Sequence, residues 1–148
     1  MQLAPTSRLT PTAQPGDAPS WTNPVASAAL RSTADLLKGI EDGIVRNFTD
    51  IERVRLFAGD LRSTLEILTA ATTAISTDAS VENDSFLPLV ASANDGVELA
   101  ENRLSSKELA ATWPIERGDI LSAIRRARAI SQNVADQLDP RLQQPNRR

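Results

Sequence analysis

The 148-residue sequence contains no cysteine and no histidine. Without cysteine the chain cannot form a disulfide, a thiolate zinc site or an iron–sulfur cluster. Without histidine it lacks the side chain that most often serves as acid, base or metal ligand near neutral pH. These two absences disfavour most classes of enzyme and of metalloprotein.

Aromatic residues are also scarce, at 3% of the sequence, so alanine and aliphatic side chains must fill any core. Such side chains suit the close packing of helices better than a sheet sandwich, where aromatic and β-branched residues predominate. The length fits a single domain. No apolar run is long enough to cross a bilayer, and the first residues lack the pattern of a secretory signal peptide. We therefore expect an all-α fold without a membrane span.

Proline marks the two ends of the sequence. Four prolines lie among Ser, Thr, Ala and Gln in residues 1–23, which predicts an extended or disordered arm rather than a folded element. Residues 140–148 (PRLQQPNRR) are predicted to form a basic flexible tail. Residues 24–139 between them are predicted to form a helical bundle domain.

The strongest pattern is a stripe of apolar residues spaced three and four apart, which predicts one long helix over about residues 24–77. Asn23 is a favourable N-cap and Pro24 a favourable first residue. The register is interrupted only by Asn47 and Thr72. Its apolar members are Leu37, Ile40, Ile44, Ile51, Val54, Ala58, Leu61, Leu65, Leu68 and Ile75.

The alternative is a kink or break near Asn47. Thr49-Asp50-Ile51-Glu52 matches a capping box in which Thr49 caps a new helix and Glu52 bonds back to it. The chain would then form two helices of ordinary length within a four-helix bundle. Because the apolar register continues without a shift across residues 44–54, we favour the continuous helix.

Two shorter helices are predicted after the acidic segment 78–84. The first has its apolar stripe from Phe86 to Leu104, and the second, beginning at Pro114, has its stripe from Ile120 to Leu138. Asp139-Pro140 should end the last helix. We expect both helices to pack on the second half of the long helix as a three- or four-helix bundle. Residues 24–50 would then have few partners in their own chain.

Motifs for catalysis or cofactor binding are missing. The sequence has no Gly-rich phosphate loop, no GxSxG elbow, no HExxH and no DxDxDG loop. The carboxylates of Asp78, Glu82 and Asp84 do not have the spacing of a calcium loop and are interrupted by Val81. We therefore predict no catalytic residue, no cofactor and no metal site.

Partner-binding residues are predicted from exposed apolar and basic positions. Leu37, Ile40 and Ile44 would form an uncovered stripe that another subunit must shield. Two aromatic residues would act as anchors, and a basic cluster on the last helix would meet an acidic neighbour. These further candidates are Trp21, Phe48, Arg125, Arg126 and Arg128. Nucleic-acid binding is not favoured, because basic and aromatic residues are not interleaved.

These features favour a non-enzymatic structural protein that acts through protein partners. The expected role is a subunit of a multi-copy assembly or homo-oligomer, such as a virion or secretion-apparatus component, that uses the helix stripe and the N-terminal arm. A second alternative is a small helical adaptor, chaperone or inhibitor with a single partner.

The N-terminal residues suggest a third function. The opening MQLAPTSRLTPTAQPG is rich in Ser, Thr and Pro and has no acidic residue before Asp17. In this respect it resembles the type III secretion signals of Gram-negative bacteria. The resemblance implies an exported effector or apparatus substrate, made in the cytoplasm and then secreted.

Overall fold

The computed structural model describes residues 21–78 and 84–143, and within these ranges the chain is all-α. It contains four helices: α1 (Pro24–Arg46), α2 (Ile51–Ser76), α3 (Leu87–Leu104) and α4 (Leu109–Leu138). The predicted all-α bundle is confirmed. Most of the predicted arm, the middle of the acidic segment and the last five residues lie outside the described ranges.

The helices alternate in direction and form a four-helix bundle. At one end, the Asn23 side chain before α1 donates a hydrogen bond to the Ala74 carbonyl near the end of α2, at 3.0 Å. Towards the other end, Arg103 near the end of α3 forms a 2.8 Å salt bridge with Glu116 near the start of α4. Helix α1 packs against α2 and α4, and α3 packs against the same two helices. Each helix is thus antiparallel to both of its neighbours.

One apolar core runs along the axis of the bundle. All four helices contribute residues spaced three and four apart, as the sequence pattern predicts. Trp113 and Phe86 are the only aromatic residues that are buried among the described residues. The largest completely buried side chains are Leu30, Leu37, Ile44, Val54, Leu61, Leu68, Ile75, Leu104, Leu109, Ile120, Ile124 and Leu138.

The favoured continuous helix is wrong, and the break near Asn47 is correct. Helix α1 ends at Arg46, and the Asn47 side chain donates a hydrogen bond to the Gly43 carbonyl at 2.8 Å. Asp50 then caps α2 by accepting a hydrogen bond from the Arg53 backbone N–H. The cap is therefore one residue later than the predicted Thr49. These local hydrogen bonds satisfy the backbone groups that a helix end leaves open.

Because the chain reverses at residues 47–50, residues 24–50 lie in a different environment from the one predicted. Leu37 and Ile44 are completely buried, and Ile40 is 3% exposed. Their side chains pack in the core of their own chain, because α1 folds back on α2 and also packs against α4. The prediction that this stripe has few intrachain partners is therefore wrong.

Other helix boundaries follow local sequence closely. Asn23 caps α1, since its side chain accepts a hydrogen bond from the Ala26 backbone N–H at 3.0 Å, and α4 ends at Leu138, both as predicted. Pro114, however, does not begin the last helix. It lies inside α4, which starts at Leu109 and places Trp113 in the core.

Two glycines of α1 provide a matched test of the α1–α2 packing. A Cβ at Gly43 would lie 2.2 Å from Cζ of Phe57, whereas a Cβ at Gly39 would meet no heavy atom within 4 Å. We expect Gly39→Ala to raise the free energy of unfolding by about 0.5–1 kcal/mol, because alanine is the better helix former. Gly43→Ala should lower it by about 1–3 kcal/mol, because the Phe57 ring must move. Urea unfolding followed by circular dichroism measures both, and equal stabilisation by the two substitutions would contradict this packing.

Candidate interaction surface

The described residues offer no cluster suited to metal chemistry. Within residues 21–78 and 84–143, no three His, Cys, Asp or Glu side chains come together in a way that could hold a metal ion. None of the helices formed by these residues is both long enough and apolar enough to cross a membrane. Several of the buried or closely paired polar groups instead connect different helices.

The most buried carboxylate is that of Asp139, immediately after α4. Its side chain is 4% exposed and accepts hydrogen bonds from Nη2 of Arg141 at 2.9 Å and from Nη2 of Arg31 at 2.8 Å. These bonds, that from Arg141 above all, hold the pKa of Asp139 well below its usual range, although burial opposes the shift. In return, the carboxylate raises the pKa of both arginines.

This carboxylate belongs to a junction between the start of α1 and the end of α4. The backbone N–H of Asn23 donates to the Leu138 carbonyl at 2.8 Å, and the Ser27 hydroxyl donates to the Ala135 carbonyl at 2.7 Å. Arg31 also bonds Asp136 at 2.7 Å. The junction satisfies terminal backbone groups of both helices and fixes the two ends of the bundle domain to each other.

Replacement of Asp139 tests the contribution of this junction to stability. We expect Asp139→Asn to lower the free energy of unfolding at pH 7 by about 1–3 kcal/mol, because charged hydrogen bonds are lost from a buried site. The native pKa lies below that of the unfolded chain, so the ionised carboxylate stabilises the fold above about pH 4 and this contribution is lost in acid. The difference between wild type and variant should therefore shrink below about pH 4 in urea unfolding. Asp60→Asn, at an exposed position of α2, is the control; an equal effect of both substitutions at every pH would contradict the assignment.

The predicted aromatic anchor Phe48 lies in the reversal between α1 and α2 and makes contacts within the chain. Its ring packs edge-on against Trp113, with 5.4 Å between centroids, and the Arg117 guanidinium lies 4.6 Å above it. Nε1 of Trp113 donates a 2.7 Å hydrogen bond to the Phe48 carbonyl. These contacts join the reversal to the start of α4. The other predicted anchor, Trp21, is 36% exposed and precedes α1.

Trp113→Phe tests whether the indole hydrogen bond stabilises the reversal. The variant keeps an aromatic ring but leaves the Phe48 carbonyl without its donor. We expect the free energy of unfolding to fall by about 1–3 kcal/mol. Ile115→Val is the control, because Ile115 is 82% exposed on the same helix. Urea unfolding followed by circular dichroism compares them, and an unchanged midpoint for Trp113→Phe would show that the hydrogen bond adds nothing.

Two of the three basic candidates on α4 are also used within the bundle. Arg125 and Arg128 both donate to Glu41 of α1, the second at 3.0 Å, and Glu41 is 12% exposed. They therefore join α1 to α4 rather than forming a free basic patch. Arg126 is exposed and lines a depression together with residues of α3. Among the predicted candidates, it is the one that contributes to a groove on the opposite side of α4.

This groove runs along the outside of the bundle between α3 and α4, and we call it the α3–α4 groove. It consists of two adjoining depressions of about 270 and 310 Å³ that share Leu99, whose side chain is 39% exposed. The Arg103–Glu116 salt bridge crosses one depression. The lining residues are Ser92, Asp95, Gly96, Leu99, Asn102, Arg103 and Ser106 on the α3 side and Glu116, Ala123, Arg126 and Ala127 on α4.

Gly96 determines the shape of the groove. A Cβ at this position would lie 3.2 Å from the Ala123 carbonyl oxygen and 3.7 Å from the Ala127 Cβ. The absence of a side chain therefore lets the two helices approach closely, and the groove between them stays shallow. Sequence reasoning missed this surface. The sequence feature that could have indicated it is a glycine inside a predicted helix, Gly96, followed three residues later by Leu99, which lies outside the Val90–Ala93–Val97–Ala100 stripe.

Other concave or apolar places have less to offer a partner. A groove of about 410 Å³ between α1 and α4 has no apolar lining residue larger than alanine, and its polar side chains include Asp35, Lys38 and Gln132. Val45, Leu56 and Ile115 are exposed apolar residues, but each lies on a different helix. Scattered apolar residues of this kind are ordinary on a protein surface.

No protein-family model matches the chain, and comparisons with curated proteins and with solved structures yield no match. A proposal for the function therefore depends on the surface of the bundle.

Proposed function

We propose that this protein is a non-enzymatic subunit of a multi-copy protein assembly, of the kind that builds virions or secretion apparatus. The α3–α4 groove is one of its contact surfaces. The stripe Leu37, Ile40 and Ile44 has no part in this proposal, because it is buried in the core. A contribution of the N-terminal arm to subunit contacts remains a prediction from the sequence.

The observation that supports the proposal is the position of Leu99 on the outside of α3. The side chain lies off the core stripe, in a groove with alanine at its base and charged residues at its rim. Apolar residues in the centre and polar residues around them are the usual arrangement of a protein–protein contact surface. The groove is shallow and open, which suits the side chains of another protein better than an enclosed small molecule.

A pair of leucine substitutions tests this function in cells that produce the protein. The chain has a mass of 16.0 kDa, so in an assembly it should sediment in a native lysate far faster than a monomer of that mass. We expect Leu99→Glu to move the chain to the monomer fraction, because a charge would be buried at the contact. Leu56→Glu is the control, because Leu56 is 75% exposed on α2 and outside the groove.

Two outcomes would contradict the proposal. One is wild-type protein that sediments as a monomer in the lysate. The other is an equal shift by both variants, which would mean that the α3–α4 groove is not a contact surface. Circular dichroism of the purified variants checks that both keep the helical fold.

A further inference from the structure

Among the residues that the structure describes, the rim of the α3–α4 groove carries one acidic and one basic side chain that make no ion pair. Asp95 on α3 and Arg126 on α4 are both exposed and line the same depression beside Gly96. Neither side chain forms a salt bridge or hydrogen bond with another described residue. By contrast, three nearby arginines, Arg103, Arg125 and Arg128, are all paired.

We propose that the occupant of the α3–α4 groove is a second copy of this chain, related by a two-fold axis that runs parallel to the helices. The inference rests on the proposed function and specifies the partner at the same surface; because a two-fold contact closes at two copies, the dimer is the unit from which the assembly is built. In this arrangement α3 of each copy lies over α4 of the other. Asp95 of each copy then faces Arg126 of the other, so that one symmetric contact forms two ion pairs.

The geometry of a single chain supports this symmetry. Gly96, next to Asp95, lies against Ala123 and Ala127, which flank Arg126 along α4. The two charges therefore sit at the same height on neighbouring antiparallel helices. Rotation about an axis parallel to those helices exchanges the two sides of the groove and preserves the height. The surface is thus complementary to itself, as a two-fold contact requires.

Apolar and small residues supply the rest of the contact. Leu99 lies one turn from Asp95 and, in the dimer, faces the surface of α4 of the other copy, where Ala123 leaves room for it. Exposed ion pairs add little affinity, but they favour one orientation and one partner over others. The leucine therefore provides most of the affinity and the charges determine the register.

The size of the surface indicates a weak dimer. Helix α3 has 18 residues, which gives a length of about 27 Å, and two helices side by side are about 20 Å wide. The buried area would be about 500 Å² per copy, or about 1,000 Å² in total, which is at the lower limit for a specific contact. We therefore expect a dissociation constant in the high micromolar range, and self-association should be measured at such concentrations.

The test is a charge exchange followed by sedimentation equilibrium of the purified full chain. We expect the wild type to dimerise, and Asp95→Arg or Arg126→Asp alone to raise the dissociation constant about tenfold or more, because like charges would face each other. The double variant D95R/R126D should return to within about threefold of the wild type, since both ion pairs re-form with their signs exchanged. Asp60→Arg makes the same change in net charge on α2, outside the groove, and should leave the dissociation constant unchanged.

The outcomes separate this inference from the proposed function. A wild type that stays monomeric up to about 1 mM, or a dimer that the charge changes do not affect, would overturn the second copy as occupant. If Leu99→Glu still releases the chain from its assembly in the lysate, the groove then binds a different protein and the proposed function stands. All substituted positions are exposed, and circular dichroism verifies the fold of each variant.

Discussion

The reversal at residues 47–50 is the constraint on which the rest of the bundle depends. Without it, α1 and α2 would continue as one helix and the apolar side of α1 would face water. The local hydrogen bonds of Asn47 and Asp50 end one helix and begin the next. The indole of Trp113 then binds the Phe48 carbonyl, which ties the reversal to α4. Trp113 and Phe48 are 65 positions apart in the sequence. Their hydrogen bond thus fixes a turn that the local sequence allows but does not determine.

The sequence was sufficient for the helical class and for the apolar stripe of each helix, but not for the direction of the chain at Asn47, and so not for the burial of Leu37, Ile40 and Ile44. A heptad stripe records which residues lie on one side of a helix, and the spacing from Leu37 to Val54 is the same whether the helix continues or folds back. Whether the helix continues or folds back depends on the contact between Phe48 and Trp113, which a pattern of neighbouring residues cannot reveal. The same reason explains the missed groove, since Gly96 and Ala123 come together only when α3 and α4 pack.

The distribution of charge on α4 follows from that packing. Arg125 and Arg128 lie on the side of α4 that faces α1, where Glu41 receives both. Arg126 follows Arg125 by one residue and so projects about 100° further around the helix, toward α3. The three arginines look like a single basic patch in the sequence. In the bundle, two of them join α4 to α1, and Arg126 lies on the outer surface.

The bundle covers its core with its own residues, so any contact with another protein must use side chains outside the core stripes. Val45, Leu56 and Ile115 are exposed on three different helices, whereas Leu99 lies beside Gly96, where two helices come together. The same glycine places Asp95 and Arg126 at equal height on opposite sides of the groove. A two-fold axis along the helices exchanges these two sides. Close helix packing at one glycine thus produces both the shallow apolar surface and the charge symmetry that a second copy would recognise.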